Sequence, residues 1–200
     1  GISGVIGWGL ADYYTHQDFG SGDSICYHGV LDAFRIKKPA AALYAVRRDE
    51  PVLEVMGNLS IGEYPAILMK EIVVMSNQPA VEVYKNDRLI ATLSPDRQRF
   101  SGLPCPPLIL DDLFGDQLAE VGYDGAEAEL IKQAAYQIVE QGGLEATLAA
   151  EVVPLLESRG HKLSDLGGFY TKYVGNWGDR AAEYVFRAGE LSVRSDRAHR

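Results

Sequence analysis

Cysteine is scarce in this sequence, and long apolar runs are absent from it. The two cysteines, Cys26 and Cys105, lie far apart and in no zinc-binding spacing such as CxxC. They allow at most one disulfide, and we favour two free thiols. No segment approaches the roughly 18 apolar residues that a membrane helix needs, so no membrane partner is expected. Motifs for a metal or a cofactor are missing as well, and we predict neither.

Basic residues are in the minority, with 19 Lys and Arg against 28 Asp and Glu, for a formal net charge of −9. An acidic surface repels phosphate groups, so we expect no nucleic-acid partner. Hydrophobic residues make up 46% of the chain, which predicts a folded protein. The chain begins with Gly1 and without a signal-peptide pattern, so we expect its start to follow processing or a cut boundary. Cytoplasmic and secreted locations both stay open.

Residues 1–48 have the pattern of a strand, a polar loop and a helix. The apolar run at 5–10 predicts a strand buried on both faces. A glycine-rich polar loop follows at about 12–29, and Pro39 suits the first turn of a helix that ends near Arg48. One such βα unit is not a complete fold, because a parallel strand needs parallel neighbours.

Short strands with turn residues between them dominate the chain from about residue 51. β-branched and aromatic residues predict four strands, at 71–76, 80–84, 89–93 and 184–187. Asn86-Asp87 predicts a hairpin turn between two of them, and a turn at 188–190 precedes a segment that can pair back. Several short strands at this spacing are typical of an antiparallel sandwich.

Helical spacing of apolar residues interrupts the predicted strands. One apolar stripe covers 130–138, and Gly142 follows it as a helix end. A second stripe covers 144–156 and contains Pro154, which should kink or shorten its helix. The sequence therefore predicts a helical hairpin inserted at about 124–172.

Two sets of segments carry a resemblance to a known family. Residues 7–13 read GWGLADY, and after a variable loop residues 27–44 read YHGVLDAFRIKKPAAALY. Further on, SN at 76–77 precedes VEVYKND at 81–87. In this order the segments resemble family 2 glycoside hydrolases, the β-galactosidase and β-glucuronidase family, and the resemblance covers about residues 1–115.

The resemblance implies an immunoglobulin-like antiparallel β-sandwich preceded by a βα remnant of a TIM barrel. The helical region lies outside the resemblance and is predicted as an insertion in the sandwich, which makes the fold class α+β. Residues 1–48 are then the end of the (β/α)8 barrel, with its last strand, loop and helix. Residues 49–200 form the β-sandwich domain that carries the helical hairpin insertion at about 124–172.

The resemblance also implies a chemistry. The family hydrolyses glycosides by the retaining mechanism with two glutamates, located at the ends of the fourth and seventh barrel strands. A chain that starts at the eighth strand lacks both glutamates and has no catalytic residue of its own. We therefore expect the C-terminal part of a β-galactosidase-like O-glycosyl hydrolase of carbohydrate metabolism, inactive alone. Its carbohydrate substrate would bind through the parent barrel.

Two residues are candidates to bind that substrate. Trp8 matches the family tryptophan whose indole face lines the sugar subsite, and a packed barrel residue is the alternative. Asp12 could bond the substrate or hold neighbouring loops, and we favour the second role. The glucuronidase subgroup has an Asn and a Lys just before the glycine that matches Gly29. Here residues 26–28 are Cys, Tyr and His, which favours a neutral sugar such as galactose.

Two other polar clusters in the sequence are candidate sites. Cys26 and His28 could form a catalytic pair, but no further activating neighbour is evident in the sequence. Asp111, Asp112 and Asp116 could bind calcium, yet they lack the spacing of a calcium-binding loop. We favour a charged surface loop for the three aspartates.

An aromatic group before the last strands allows two interpretations. Phe169, Tyr170, Tyr173 and Trp177 suit either an exposed carbohydrate platform or a core, and we favour a core. The alternative function for the whole chain is a non-catalytic carbohydrate- or protein-binding accessory module. A homo-oligomer is compatible with either function.

Overall fold

The computed structural model describes residues 7, 9–16, 24–57, 59, 71–176, 178 and 182–195. These residues form a mixed fold of antiparallel sheets and helices. Within these ranges, no helix is both long enough and apolar enough to cross a membrane.

The described residues form nine strands and four α-helices. The strands are β1 (Tyr13–Tyr14), β2 (Ile25–Cys26), β3 (Leu53–Met56), β4 (Ile72–Ser76), β5 (Val81–Lys85), β6 (Arg88–Leu93), β7 (Leu108–Leu110), β8 (Tyr184–Ala188) and β9 (Leu191–Ser195). The helices are α1 (Ala42–Ala45), α2 (Gly125–Gln141), α3 (Ala146–Ser158) and α4 (Asp165–Tyr173). Two 3₁₀ turns, at Pro39–Ala41 and Gln117–Val121, precede α1 and α2.

A three-stranded antiparallel sheet has the order β3-β4-β7, and its central strand is apolar on both faces. Ile72 and Val74 face the main core, whereas Val73 and Met75 face α1 on the other side. This double burial explains why β4 begins with an unbroken apolar run rather than an alternating pattern.

The second sheet has four antiparallel strands in the order β6-β5-β8-β9. β5 and β6 are joined by Asn86 and Asp87, whose φ angles are 47° and 65°. Both angles are left-handed, as a type I′ hairpin turn requires, and Asn and Asp tolerate that conformation better than most residues. The predicted hairpin is therefore confirmed. β8 pairs with the other edge of β5, with Phe186 opposite Val83.

The helical stretch contains one helix more than the sequence predicts. α2 ends at Gln141 and is capped by the following Gly142, whose φ of 74° suits glycine. Pro154 does not end α3, which continues to Ser158 with the flanking Val152 and Leu156 fully buried. α4 was not predicted, because the adjacent Gly167 and Gly168 weaken its helical signal.

One hydrophobic core joins both sheets to the helices. It combines Val83 of β5 with Ile131 of α2 and Leu156 of α3. Phe114, fully buried after β7, packs edge-on against the ring of Tyr136 with centroids 5.5 Å apart. The helices therefore complete the core of the sheets.

The first part of the chain is less regular. Half of the predicted strand at 5–10 lies outside the described residues, and the described residues 7, 9 and 10 are not in a strand, so the strand prediction is wrong at these positions. The predicted loop at 12–29 contains the short antiparallel pair β1 and β2, with Tyr13 opposite Cys26. The predicted helix begins at Pro39, where the missing N–H costs no hydrogen bond, and continues as α1.

Candidate functional site

Asp12 is a buried carboxylate at the centre of the first 48 residues, with its side chain 3% exposed. Its Oδ1 accepts a hydrogen bond from the Gly29 backbone N–H at 2.8 Å. The Lys38 ammonium donates to Oδ1 at 2.9 Å and to Oδ2 at 3.2 Å. The same ammonium donates to the Tyr27 carbonyl at 3.0 Å. We call these four residues the Asp12–Lys38 clamp, because they tie together three separate chain segments.

Backbone pairing brings the two sides of the clamp very close. The Asp12 N–H donates to the Leu31 carbonyl at 2.9 Å, and Leu31 donates in turn to Leu10 at 3.0 Å. A Cβ atom on Gly29 would lie 2.2 Å from the Asp12 nitrogen. Only glycine leaves room for this approach.

Of the two residues that the sequence predicts to bind substrate, Trp8 and Asp12, the structure describes only Asp12. Trp8 lies outside the described residues, so its role stays a prediction. Asp12 has the loop-holding contacts that the sequence analysis favoured, and a direct bond from Asp12 to a sugar stays a prediction. The sequence did not indicate Lys38 as the partner of Asp12, since 26 residues separate them.

A cleft of about 490 Å³ lies beside the clamp. Its lining residues come from the start of the chain, the segment after β2, and α1 with its preceding turn: Gly7, Gly9, Leu10, His28, Val30, Ala41 and Tyr44. Among these described lining residues, six are glycine, aliphatic or aromatic, and His28 adds a polar group.

Large apolar side chains crowd the surface of this region. Leu10, Tyr14 and Phe34 are 72%, 71% and 79% exposed. Among the described residues of this region, the full set, which we call the exposed apolar surface, is Leu10, Tyr13, Tyr14, Tyr27, Phe34, Ile36, Leu43 and Tyr44. Exposed apolar side chains in this number favour a contact with another molecule or with another part of a protein.

Residues 48–52 fasten this region to the three-stranded sheet. The Asn77 side chain accepts from the Val52 N–H at 2.9 Å and donates to the carbonyls of Arg48 and Glu50 at 3.0 and 2.8 Å. The Ser76 hydroxyl donates to the Val52 carbonyl at 2.7 Å. The SN pair that contributed to the family resemblance therefore satisfies four backbone groups of this connection.

Two of the three aspartates that the sequence offers as a calcium site, Asp112 and Asp116, are engaged in ion pairs. Cys26 and Cys105 are both free thiols. Asp112 pairs with Lys132 at 2.6 Å, and Asp116 pairs with Arg88 at 2.8 Å. No group of three or more metal-ligating side chains occurs in the part of the chain that the structure describes.

The aromatic group lies in the core, as the sequence analysis favoured. Phe169, Tyr170 and Tyr173 are buried on α4, whereas Trp177 lies outside the described residues. Burial raises the pKa of Tyr170 to about 12. These three rings therefore cannot form an exposed carbohydrate platform.

Comparison with known proteins gives a strong match to one enzyme type. A β-galactosidase of Thermoanaerobacterium thermosulfurigenes is 43% identical over 114 residues, 55% of this chain and 16% of the relative. A β-galactosidase of Thermoanaerobacter pseudethanolicus is 39% identical over 110 residues, 53% of this chain and 15% of the relative. The chain thus spans about one sixth of the length of these curated relatives. These similarities confirm the predicted resemblance.

Two further comparisons add little. No protein-family model matches the chain. A solved β-glucuronidase of Parabacteroides merdae is 18% identical with a TM-score of 0.40, over 54% of this chain and 14% of that chain. At this TM-score the likeness carries no weight for the fold.

Proposed function

We propose that this chain is part of a β-galactosidase-like glycosidase. In this proposal, residues 1–48 supply the last βα unit of the catalytic barrel, and the two antiparallel sheets form the immunoglobulin-like sandwich that follows it. The single observation that carries the proposal is the 43% identity to a β-galactosidase over 114 residues.

The exposed apolar surface supports this architecture. A terminal barrel segment has apolar side chains that other barrel elements cover, and here eight large ones are exposed. The matched segment makes up only 16% of the first curated relative and 15% of the second, so both contain enough further sequence to provide such elements. The 490 Å³ cleft beside Tyr44 would then receive one of their side chains.

Under this proposal, the residues that hydrolyse and bind the glycoside are divided between this chain and the other barrel elements of the longer enzyme. Retaining hydrolysis needs two carboxylates about 5–5.5 Å apart, one as acid/base and one as nucleophile. We assign both glutamates to the rest of the enzyme and none to this chain. Trp8 would offer its indole face to the sugar ring. Asp12 would hold the loop that lines the subsite, with its carboxylate tied to Lys38.

The test combines the chain alone with a chimera. Replacing the matching segment of the Thermoanaerobacterium thermosulfurigenes enzyme by that of this chain should leave a chromogenic β-galactoside cleaved. The 200-residue chain alone should leave the same substrate and a β-glucuronide untouched. Turnover by the chain alone would contradict the assignment of the glutamates. A folded chimera that is inactive would contradict the glycosidase proposal.

A second candidate is a non-catalytic binding module. The exposed tyrosines Tyr13, Tyr14 and Tyr27 favour it, because aromatic faces bind the apolar face of sugars. Calorimetry of the chain with β-galactosides and short glycans tests it. Binding that disappears in Tyr14→Ala, without turnover in the chimera, would favour the module over the glycosidase.

A further inference from the structure

Charge is distributed unevenly along the chain. Residues 1–48 contain five of the 19 Lys and Arg and four of the 28 Asp and Glu. This segment therefore has a formal net charge of +1, whereas residues 49–200 have −10. Between Asp32 and Asp49 the charged residues are all basic, namely Arg35, Lys37, Lys38, Arg47 and Arg48. A molecule that contacts this stretch meets positive charge on an otherwise acidic protein.

Three of these cations meet in a second cleft, of about 400 Å³, which lies between α1 and β3. We call it the cationic cleft, because Lys37, Lys38 and Arg48 line it and Glu54 is the one carboxylate among its described lining residues. The rest of the lining is aliphatic apart from Tyr44. Apolar walls with an excess of positive charge suit a carboxylate that arrives on an apolar segment.

The three cations differ in how far they are already paired. Lys38 is bound to the buried carboxylate of Asp12. Arg48 donates through Nε to Glu50 at 3.1 Å, in a pair whose side chains are both more than half exposed. Lys37 is exposed and has no ion pair within the described ranges. Lys37 and Arg48 are therefore the cations that can receive a further carboxylate.

The cationic cleft continues into the 490 Å³ cleft beside the Asp12–Lys38 clamp. Ala41 and Tyr44 line both clefts, so the two lie on either side of a shared wall. The exposed apolar surface includes Leu43 and Tyr44 of this same helix. A molecule that covers α1 therefore contacts a cationic cleft and a largely apolar one together.

We propose that α1 and its two clefts form the docking face for an acidic amphipathic segment of the longer enzyme, which places a carboxylate in the cationic cleft beside Lys37. This inference rests on the proposed function, which supplies the longer enzyme. The matched segments cover only 16% and 15% of the two curated relatives, so most of such an enzyme lies outside this chain.

Charge favours a protein segment over the other possible occupants. A nucleic acid or an anionic lipid surface is extended, so the net charge of −9 on the whole chain would repel it. A second copy would have to bring its own acidic region to this face, and such a head-to-tail contact does not close into a symmetric dimer. A local segment needs to match only the cleft itself.

The 200-residue chain is tested with labelled polyglutamate and a labelled random copolymer of glutamate and tyrosine, by fluorescence anisotropy. The copolymer should bind more tightly, because it carries both carboxylates and apolar rings. Lys37→Glu should weaken its binding about five-fold or more. Lys162→Glu is the matched control, because Lys162 is an exposed lysine between α3 and α4 and the net charge changes equally. It should leave binding unchanged.

Four results of this test would overturn the proposal. The first is a copolymer that does not bind the unmodified chain. The second is an equal loss of binding in Lys37→Glu and Lys162→Glu, because net charge and not the cleft would then govern binding. The third is tighter binding to phosphatidylglycerol vesicles than to the copolymer. The fourth is self-association of the chain, seen by light scattering, that Lys37→Glu abolishes, since the face would then belong to a second copy.

The β-galactosidase chimera separates this inference from the proposed function, because thermal unfolding reports docking and turnover reports the function. Lys37→Glu should lower the unfolding midpoint of the chimera relative to Lys162→Glu. In the chain alone the two variants should unfold alike, since both lysines are exposed. An active chimera in which the two variants also unfold alike would overturn the docking face and leave the proposed function standing.

Discussion

Residues 7–48 and residues 71–195 differ in how far their large apolar side chains are exposed to solvent. In the later region the large ones lie in one core, and the exposed ones among described residues are Leu89, Leu103 and Leu163. Among the described residues of the earlier region eight large ones are exposed, and the buried ones are small, such as Ala42 and Val46. The described part of the later region is therefore held by its own apolar core, whereas that of the earlier region is held mainly by polar contacts.

The largest expected effect lies in the later core. Phe114→Ala removes a fully buried ring that packs against Tyr136, and it should destabilise the chain by about 3–5 kcal/mol. Phe34→Ala is the matched control, because Phe34 is 79% exposed and should be nearly neutral. Urea unfolding measures both. Equal effects of the two substitutions would break the comparison between the regions.

The second-largest loss of stability is expected where Gly29 approaches the backbone of Asp12 in the earlier region. Gly29→Ala places a Cβ atom 2.2 Å from the Asp12 nitrogen and should cost about 2–3 kcal/mol of local stability. Gly9→Ala is the control, since nothing lies within 4 Å of its added Cβ. Hydrogen exchange at the Leu31 amide reports the local opening. Unchanged exchange in Gly29→Ala would mean that the backbone is not constrained there.

Breaking the Asp12–Lys38 clamp should have a somewhat smaller effect. Asp12→Ala leaves the Gly29 N–H without its acceptor and the Lys38 ammonium without its carboxylate partner, which should cost about 1–3 kcal/mol. Glu50→Gln is the control, because the Arg48–Glu50 pair is exposed and should be dispensable. Limited proteolysis between residues 9 and 38 is the measurement. Faster cleavage is expected for Asp12→Ala only.

The smallest effect on stability is expected on the exposed apolar surface. Phe34→Ser combined with Ile36→Ser should leave thermal unfolding unchanged and lower the binding of an apolar dye. Light scattering should show less self-association of the variant. A clear loss of thermal stability would instead place these two side chains inside a folded core.

Local chemistry explains what the sequence predicts well. The hairpin follows from Asn86-Asp87, which tolerate left-handed φ angles, and the end of α2 follows from Gly142. Contacts between distant residues explain what it misses. The Asp12–Lys38 pair joins residues with no shared periodicity, and α4 is fixed by burial of Phe169 and Tyr173 despite two adjacent glycines.

The candidate site is less predictable than the fold for the same reason. The family resemblance points to Trp8 and Asp12 because a motif is local, whereas the partners of Asp12 come from two other segments. The exposed apolar surface has no periodic signal, since strand, turn, loop and helix residues contribute to it together. Asn77 could have been suspected, because it directly follows β4.

The pairing of β8 with β5 sets the order in which the sheet is assembled during synthesis. Glu82 lies opposite Arg187, about a hundred residues later in the chain, so this contact closes after local ones. The β5–β6 hairpin leaves the ribosome long before β8 and has an open hydrogen-bonding edge in the meantime. We expect α2, α3 and α4 to associate during that interval, which shortens the remaining search for β8.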